Sequence, residues 1–209
     1  MAGEWGNQRK AYRAIITAIN KFIAKSDIAR WRQDKNVRQG WGVRAALIAR
    51  FINRGSVVAD IGAGECALRG YLPDGCEYIP IDIVSRDATT IVSDINRRGL
   101  VDVPDADVIV FSGVLEYIFK LGEILTESNS RFKSAVFTYA PRMTKRFSEK
   151  IERRSNGWIN DLTEDEFLSL VEKCGWKILN RSEWNGQIVA LAESQSAKVS
   201  EANAASFKC

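Results

Sequence analysis

The sequence predicts an α/β fold: a mostly parallel, doubly wound sheet that ends in an antiparallel hairpin. Three observations carry this. Residues 56–67 run from an apolar segment into Asp60, then through Gly62-Ala63-Gly64 into a helix-compatible stretch. That is how an open α/β sheet builds a nucleotide site at the end of its first strand. Further apolar segments then alternate with helix signals. Near the end, Trp184-Asn185-Gly186 joins two strand-like stretches, and Asn-Gly is the strongest short hairpin signal.

Each element follows from local pattern. Residues 8–25 place Tyr12, Ile15, Ile16, Ile19, Phe22 and Ile23 at helical spacing, with Arg and Lys on the other face. Packing on its own domain is the commoner use of such a face; lying on an anionic membrane is the alternative. A polar connection bearing Trp31 and Trp41 leads to a second helix over 43–52. Residues 57–61 read as a buried strand and 65–71 as a short helix closed by Pro73-Asp74-Gly75. The strand at 78–83 contains Pro80, which predicts an irregularity there. A third strand at 90–92 follows too closely on Asp82 for a crossover helix, so a loop or single turn is expected. Residues 107–112 form a strand, 116–128 a helix, and 135–139 a strand stopped by Pro141. Thr163-Glu164-Asp165-Glu166 is a capping box opening a helix that ends at Cys174-Gly175. Strands at 176–183 and 187–192 close the fold.

The chain of 209 residues thus divides into a basic helical appendage (1–54), an α/β domain (55–193) and a small, polar tail (194–209). The net charge of +4 conceals an uneven distribution. Residues 1–54 carry 12 Lys+Arg against 3 Asp+Glu, and a second basic cluster spans 142–154. The chain has no histidine, and its four cysteines form no CxxC pair. This argues against structural zinc and a disulfide framework, and leaves acid–base work to Asp, Glu, Tyr, Lys or Cys. No signal-peptide core or membrane-length apolar run is present, so a cytoplasmic location is expected. Oligomeric state leaves no trace in the sequence.

Asp60-Ile61-Gly62-Ala63-Gly64 resembles the first motif of the class I S-adenosylmethionine-dependent methyltransferases, and the resemblance extends over 55–193 in the order of elements, including the terminal hairpin. It implies a Rossmann-like, seven-stranded sheet and S-adenosyl-L-methionine as methyl donor. It also implies that Gly62, Ala63 and Gly64 approach the methionine end while Asp60 orders the loop and offers negative charge. Cys66 stands where a third glycine is common, a place where tolerance is expected. Asp82 becomes the ribose acid, Asp94 faces the adenine amine, and Ile83 and Ile95 sandwich the ring. Ser112 and Gly113 begin the fourth motif at the mouth of the site. That motif is not the Asn/Asp-Pro-Pro-Tyr type associated with nucleobase amines.

The resemblance leaves the acceptor open. Glu116, Tyr117 and Tyr139 are the candidate bases. Arg142, with the cluster through Arg154, is a candidate for an anionic acceptor, a solvated helical face being the commoner explanation. Trp158 and Asn160 are candidates to line the acceptor pocket. O-methylation of a small-molecule or glycan-like acceptor is the expected function. Three alternatives stay open: an RNA methyltransferase or binder using the basic segment, a non-catalytic methyltransferase-like module, and an NAD-dependent oxidoreductase, since Gly62–Ala67 also fits G-x-G-x-x-A.

Overall fold

A computed structural model describes residues 2–33 and 41–196. Residues 34–40, most of the connection between Trp31 and Trp41, and residues 197–209 of the polar tail lie outside the described residues. The helices α1 (Ala2–Phe22), α2 (Ile28–Trp31) and α3 (Gly42–Ala49) precede the sheet. Strands β1 (Val57–Ile61), β2 (Glu77–Asp82), β3 (Ile91–Val92), β4 (Val108–Phe111) and β5 (Ser134–Tyr139) follow. Interspersed are α4 (Ile95–Arg98), α5 (Leu121–Arg131), α6 (Phe147–Ser155) and α7 (Glu164–Lys173), then β6 (Trp176–Trp184) and β7 (Gln187–Ser194).

The seven strands lie in the order β3-β2-β1-β4-β5-β7-β6. The first five are parallel, and β7 runs antiparallel to both β5 and β6. Alternation along β4 shows why both faces are covered: Val108 and Val110 join Ala45, Ile48 and Leu68 on one side, while Ile109 and Phe111 join Leu125, Phe137 and Phe167 on the other. The chain reverses its direction of winding between β1 and β4. Ligands bind at such a point, beyond the carboxyl ends of the strands.

Local chemistry fixes the ends of several elements. Asn185 and Gly186 both adopt positive φ, 48° and 70°, as a two-residue hairpin turn requires. The capping box closes as expected, with the Thr163 amide donating to Glu166 at 2.7 Å and the Glu166 amide to the Thr163 hydroxyl at 3.3 Å. No helix forms between β2 and β3, in agreement with the short connection.

Four expectations are overturned. Pro80 does not interrupt β2, which pairs with β1 throughout. The odd residues of β2 direct their amides at β1, and β3 pairs only from Ile81 onward, so the amide that proline lacks has no strand beside it. The helix expected at 116–128 is broken: a 3-10 turn at Leu115–Tyr117 ends at Ile118, and α5 starts at Leu121. Asn96 accepts from the Phe119 amide at 2.8 Å, and Asn160 donates to the carbonyls of Leu115 and Ile118 at 2.8 and 2.9 Å. These two amides hold the break open. The basic cluster at 142–154 is solvated only in part, at Lys145, Arg146 and Lys150. It contains α6, whose Arg153 and Arg154 are buried and pair with Asp161 at 3.1 and 2.5 Å.

The fourth concerns α1, which packs alongside α6 with Ala14 and Thr17 buried and most of its apolar stripe turned outward. Lys21 fixes this orientation by donating to the Ile159 carbonyl at 2.8 Å. Among the described residues, no helix is long and apolar enough to cross a membrane.

Candidate active site

A cavity of about 640 Å³ opens at the carboxyl ends of β1, β2 and β4. Its walls come from the glycine loop, the loops after β4 and β5, α1, α2 and the hairpin turn.

The glycine loop is shaped by backbone bonds. The amides of Gly62 and Ala63 both donate to the Ile81 carbonyl, at 2.8 and 3.1 Å. Gly62 has φ +76°, and a Cβ there would meet Val114 at 2.9 Å, so glycine is required twice over. Cys66, at the usual third-glycine place, also has positive φ, 57°. The cysteine is accommodated there at the cost of a left-handed backbone, about 1–2 kcal/mol for a non-glycine residue.

The acids divide into different tasks. Asp82 lines the cavity while accepting from the Gly64 amide at 2.9 Å and the Val84 amide at 3.0 Å. It locks the glycine loop to β2, and each carboxylate oxygen keeps a lone pair for a ligand hydroxyl. Asp60 sits beneath the loop, away from the cavity lining. One of its oxygens accepts from the Tyr78 hydroxyl at 2.7 Å and the other, buried, has no partner. Burial pushes its carboxyl up to about 7, opposed by the Tyr78 hydrogen bond and the charge of Arg44. Asp94 caps α4 by accepting from the Asn96 amide at 3.1 Å and takes a 2.8 Å bond from the Ser26 hydroxyl. Its second oxygen is buried and without a partner. Ile83, Ile95, Ser112 and Gly113 join Asp82 and Asp94 on the cavity wall, whereas Ala63 is buried behind it.

Glu116 and Arg44 occupy the deep part of the site. Both are buried and both line the cavity. Glu116 accepts from the Ala140 amide at 2.7 Å through one oxygen, and the other has no partner. Burial raises its pKa, while the Ala140 amide and the charges of Arg44 and Arg153 act in the opposite direction. Arg44 lies against Trp41 and Trp184, 5.2 and 5.8 Å from their ring centres, and donates to Gln187 at 3.3 Å. A Cβ on Gly113 would sit 2.5 Å from its guanidinium. Sequence reasoning missed Arg44; the available signal was a lone cation inside the apolar helix Gly42–Ala49.

Tyr117 and Trp158 also reach the cavity, and the Trp158 indole donates to the Tyr117 hydroxyl at 2.9 Å. Trp31 meets Tyr117 edge-on at 5.0 Å. Of the catalytic and acceptor candidates, three do not line the cavity. Tyr139 is fully buried, stacks on Phe167 at 4.4 Å and accepts from the Leu162 amide at 3.0 Å. Arg142 donates to the Asp161 carbonyl at 2.9 Å and lies 3.6 Å from Glu166. Asn160 is committed to the break before α5. With Arg153 and Arg154 paired to Asp161, Arg142 and these neighbours give no support to an anion site.

The residues fit an S-adenosylmethionine-like ligand on chemical grounds. The acidic acceptors of Asp82 and Asp94 match ribose hydroxyls and an adenine amine, and the partnerless oxygen of Asp94 awaits a donor. The loop over Asp60 leaves room for a cationic amino-acid end, and Arg44 matches a carboxylate.

The fold is that of the class I S-adenosylmethionine-dependent methyltransferases. Among solved structures, the mitomycin 7-O-methyltransferase MmcR is 16% identical over 90% of this chain and 68% of its own, with a TM-score of 0.61. Human N-acetylserotonin methyltransferase in complex with SAM is also 16% identical, over 86% of this chain and 58% of its own, with a TM-score of 0.61. A chain from the Haloferax volcanii complex between the Trm112 methyltransferase activator and its proposed methyltransferase is 12% identical, over 80% of this chain and 95% of that one, with a TM-score of 0.60. The chain spans little more than half of several of these proteins, 54% in the case of the pyocyanin biosynthetic protein PhzM. No family model and no curated protein sequence matches.

Proposed function

We propose that this chain is an S-adenosylmethionine-dependent methyltransferase that acts on the oxygen of a small-molecule or glycan-like acceptor. The observation that carries the oxygen assignment is Glu116. Its carboxylate is buried, held by the Ala140 amide, and keeps one partnerless oxygen in the cavity wall.

When bound, the methyl donor supplies an electrophilic methyl group on a sulfonium. Asp82 and Asp94 would hold its nucleoside end, and the Gly62–Gly64 backbone and Arg44 its amino-acid end. Tyr117, Trp158 and Trp31 build the aromatic wall that positions the acceptor and excludes water, which supplies most of the acceleration in such a reaction. The partnerless Glu116 oxygen takes the acceptor proton as the acceptor oxygen attacks. Its raised pKa makes it a better base, provided it is ionised.

Among the described residues of the basic segment, Trp31, Trp41 and Arg44 line the cavity rather than an open stacking platform of the kind single-stranded nucleic acid needs. That favours a small acceptor over RNA.

Calorimetry with S-adenosylmethionine and with NAD tests the donor. Binding of the first alone supports the proposal, whereas binding of neither favours a non-catalytic module. Product analysis with hydroxyl and amine acceptors tests the oxygen assignment, and methylated nitrogen or carbon would sink it.

A further inference from the structure

Helix α1 turns its polar side inward and its apolar side out. Arg13, Thr17 and Asn20 line the cavity, and Ala14 and Thr17 are buried. Tyr12, Ile15, Ile19 and Phe22, spaced at three, four and three residues, form one outward stripe, and Ile23 extends it. These five side chains are between 53% and 91% exposed. From Tyr12 to Phe22 the stripe runs about 15 Å. Single exposed apolar residues need no explanation, but a continuous stripe marks a surface that something covers.

The charges around it select the occupant. Residues 8–26 contain five cations and no acid. Arg9, Lys10 and Lys25 are exposed on α1 and just after it. Beside α1, the chain entering α6 exposes Met143 and Phe147 together with Lys145, Arg146 and Lys150. The acids there are Glu149, whose carboxylate accepts from the amides of Met143 and Thr144, and Glu152. A second copy of this chain packed stripe to stripe would bring the α1 cations against themselves, with no acid between residues 8 and 26 to pair with them. An anionic lipid surface instead satisfies both the apolar stripe and its basic flanks.

We propose that α1 is an interfacial helix that docks this chain on an anionic bilayer through Tyr12, Ile15, Ile19 and Phe22. The opposite side of the same helix is a wall of the cavity, so the docked chain opens its acceptor site beside the lipid surface. The docking is independent of the methyltransferase assignment.

Co-sedimentation of the full chain with vesicles provides the test. We expect binding to phosphatidylglycerol vesicles at least tenfold tighter than to phosphatidylcholine vesicles, and weaker as salt rises. The double variant Ile15→Asp/Ile19→Asp is expected to lose at least tenfold in partition while keeping the thermal unfolding midpoint of the parent. Arg9→Gln/Lys10→Gln, which leaves the stripe intact, is expected to reduce both the binding and its salt dependence. No partition at low salt, or equal partition to the two vesicle types, would overturn the proposal. So would a dimer in sedimentation equilibrium that Ile15→Asp/Ile19→Asp dissolves. S-adenosylmethionine calorimetry on the same samples reads the cavity separately, so a failed donor site and a failed docking surface are told apart.

Discussion

The Glu116 carboxylate accepts a 2.7 Å hydrogen bond from the Ala140 amide, which ties the loop after β4 to the loop after β5. One oxygen is thereby fixed, and the other is buried without a partner in a side chain that lines the cavity. Glu116→Gln keeps an oxygen for Ala140 but cannot take a proton. The variant should fold, bind the methyl donor normally and lose about 10²–10⁴-fold in kcat, the range for a positioned base. Because burial raises the Glu116 pKa, the rate in the parent should climb with pH along a limb above the ordinary glutamate range. That limb should be absent in the variant. A pH–rate profile of both proteins checks this, and a retained limb would assign the base elsewhere.

Asp82 joins the loop and the ligand site in one side chain. Asp82→Ala removes the acceptor for the Gly64 and Val84 amides as well as the two lone pairs available to ribose. The donor affinity should fall by about 1–3 kcal/mol in binding free energy, the scale of lost hydrogen bonds to a charged group. Asp82→Asn retains a carbonyl oxygen for one of the amides and should fall between the two. Calorimetry with S-adenosylhomocysteine reads the loss without turnover. Unchanged affinity in Asp82→Ala would separate the acid from the ligand.

How far the sequence reached depends on whether the deciding contact is local. The strand at Val57–Ile61, its glycine turn, the Thr163 capping box and the Asn185-Gly186 hairpin are each specified by neighbouring residues, and all were legible. The break before α5 was not, because Asn96 and Asn160 make it from remote parts of the chain. The Arg153–Asp161–Arg154 triad was hidden for the same reason: an arginine-rich run reads as solvated until its acid is located. The outward stripe of α1 defeats periodicity altogether. A helical moment shows that a helix has two faces and not which one meets the protein. In the site, Asp82, Asp94 and Glu116 followed from strand ends. Arg44, which reaches it from α3, and Tyr78, which holds Asp60 beneath the glycine loop, did not.

Tyr139 belongs to the core, and its substitution separates stability from chemistry. Tyr139→Phe keeps the ring stacked on Phe167 and leaves the part-buried Leu162 amide without its acceptor. An orphaned buried donor costs about 1–3 kcal/mol. The denaturation midpoint should drop accordingly with kcat unchanged. A loss of kcat without a loss of stability would restore Tyr139 as a candidate base.

Asp60 makes stability depend on pH with an unusual sign. Its carboxyl titrates near 7 in the folded chain, whereas an unfolded aspartate titrates near 3.8. Between those values the folded state holds a proton that the unfolded state has released. Stability from this residue must therefore be greatest below about 4, fall as pH rises toward 7, and level off above it. The slope within that window approaches about 1.4 kcal/mol per pH unit. Asp60→Asn stays neutral throughout and can still accept from Tyr78, so its unfolding free energy should lack this decline. A cation bound over the loop favours the ionised carboxyl. Below pH 7, donor binding to the parent should then release a proton, and calorimetry in buffers of different ionisation enthalpy measures it. Equal pH slopes for parent and Asp60→Asn would show that the buried carboxyl titrates in its ordinary range.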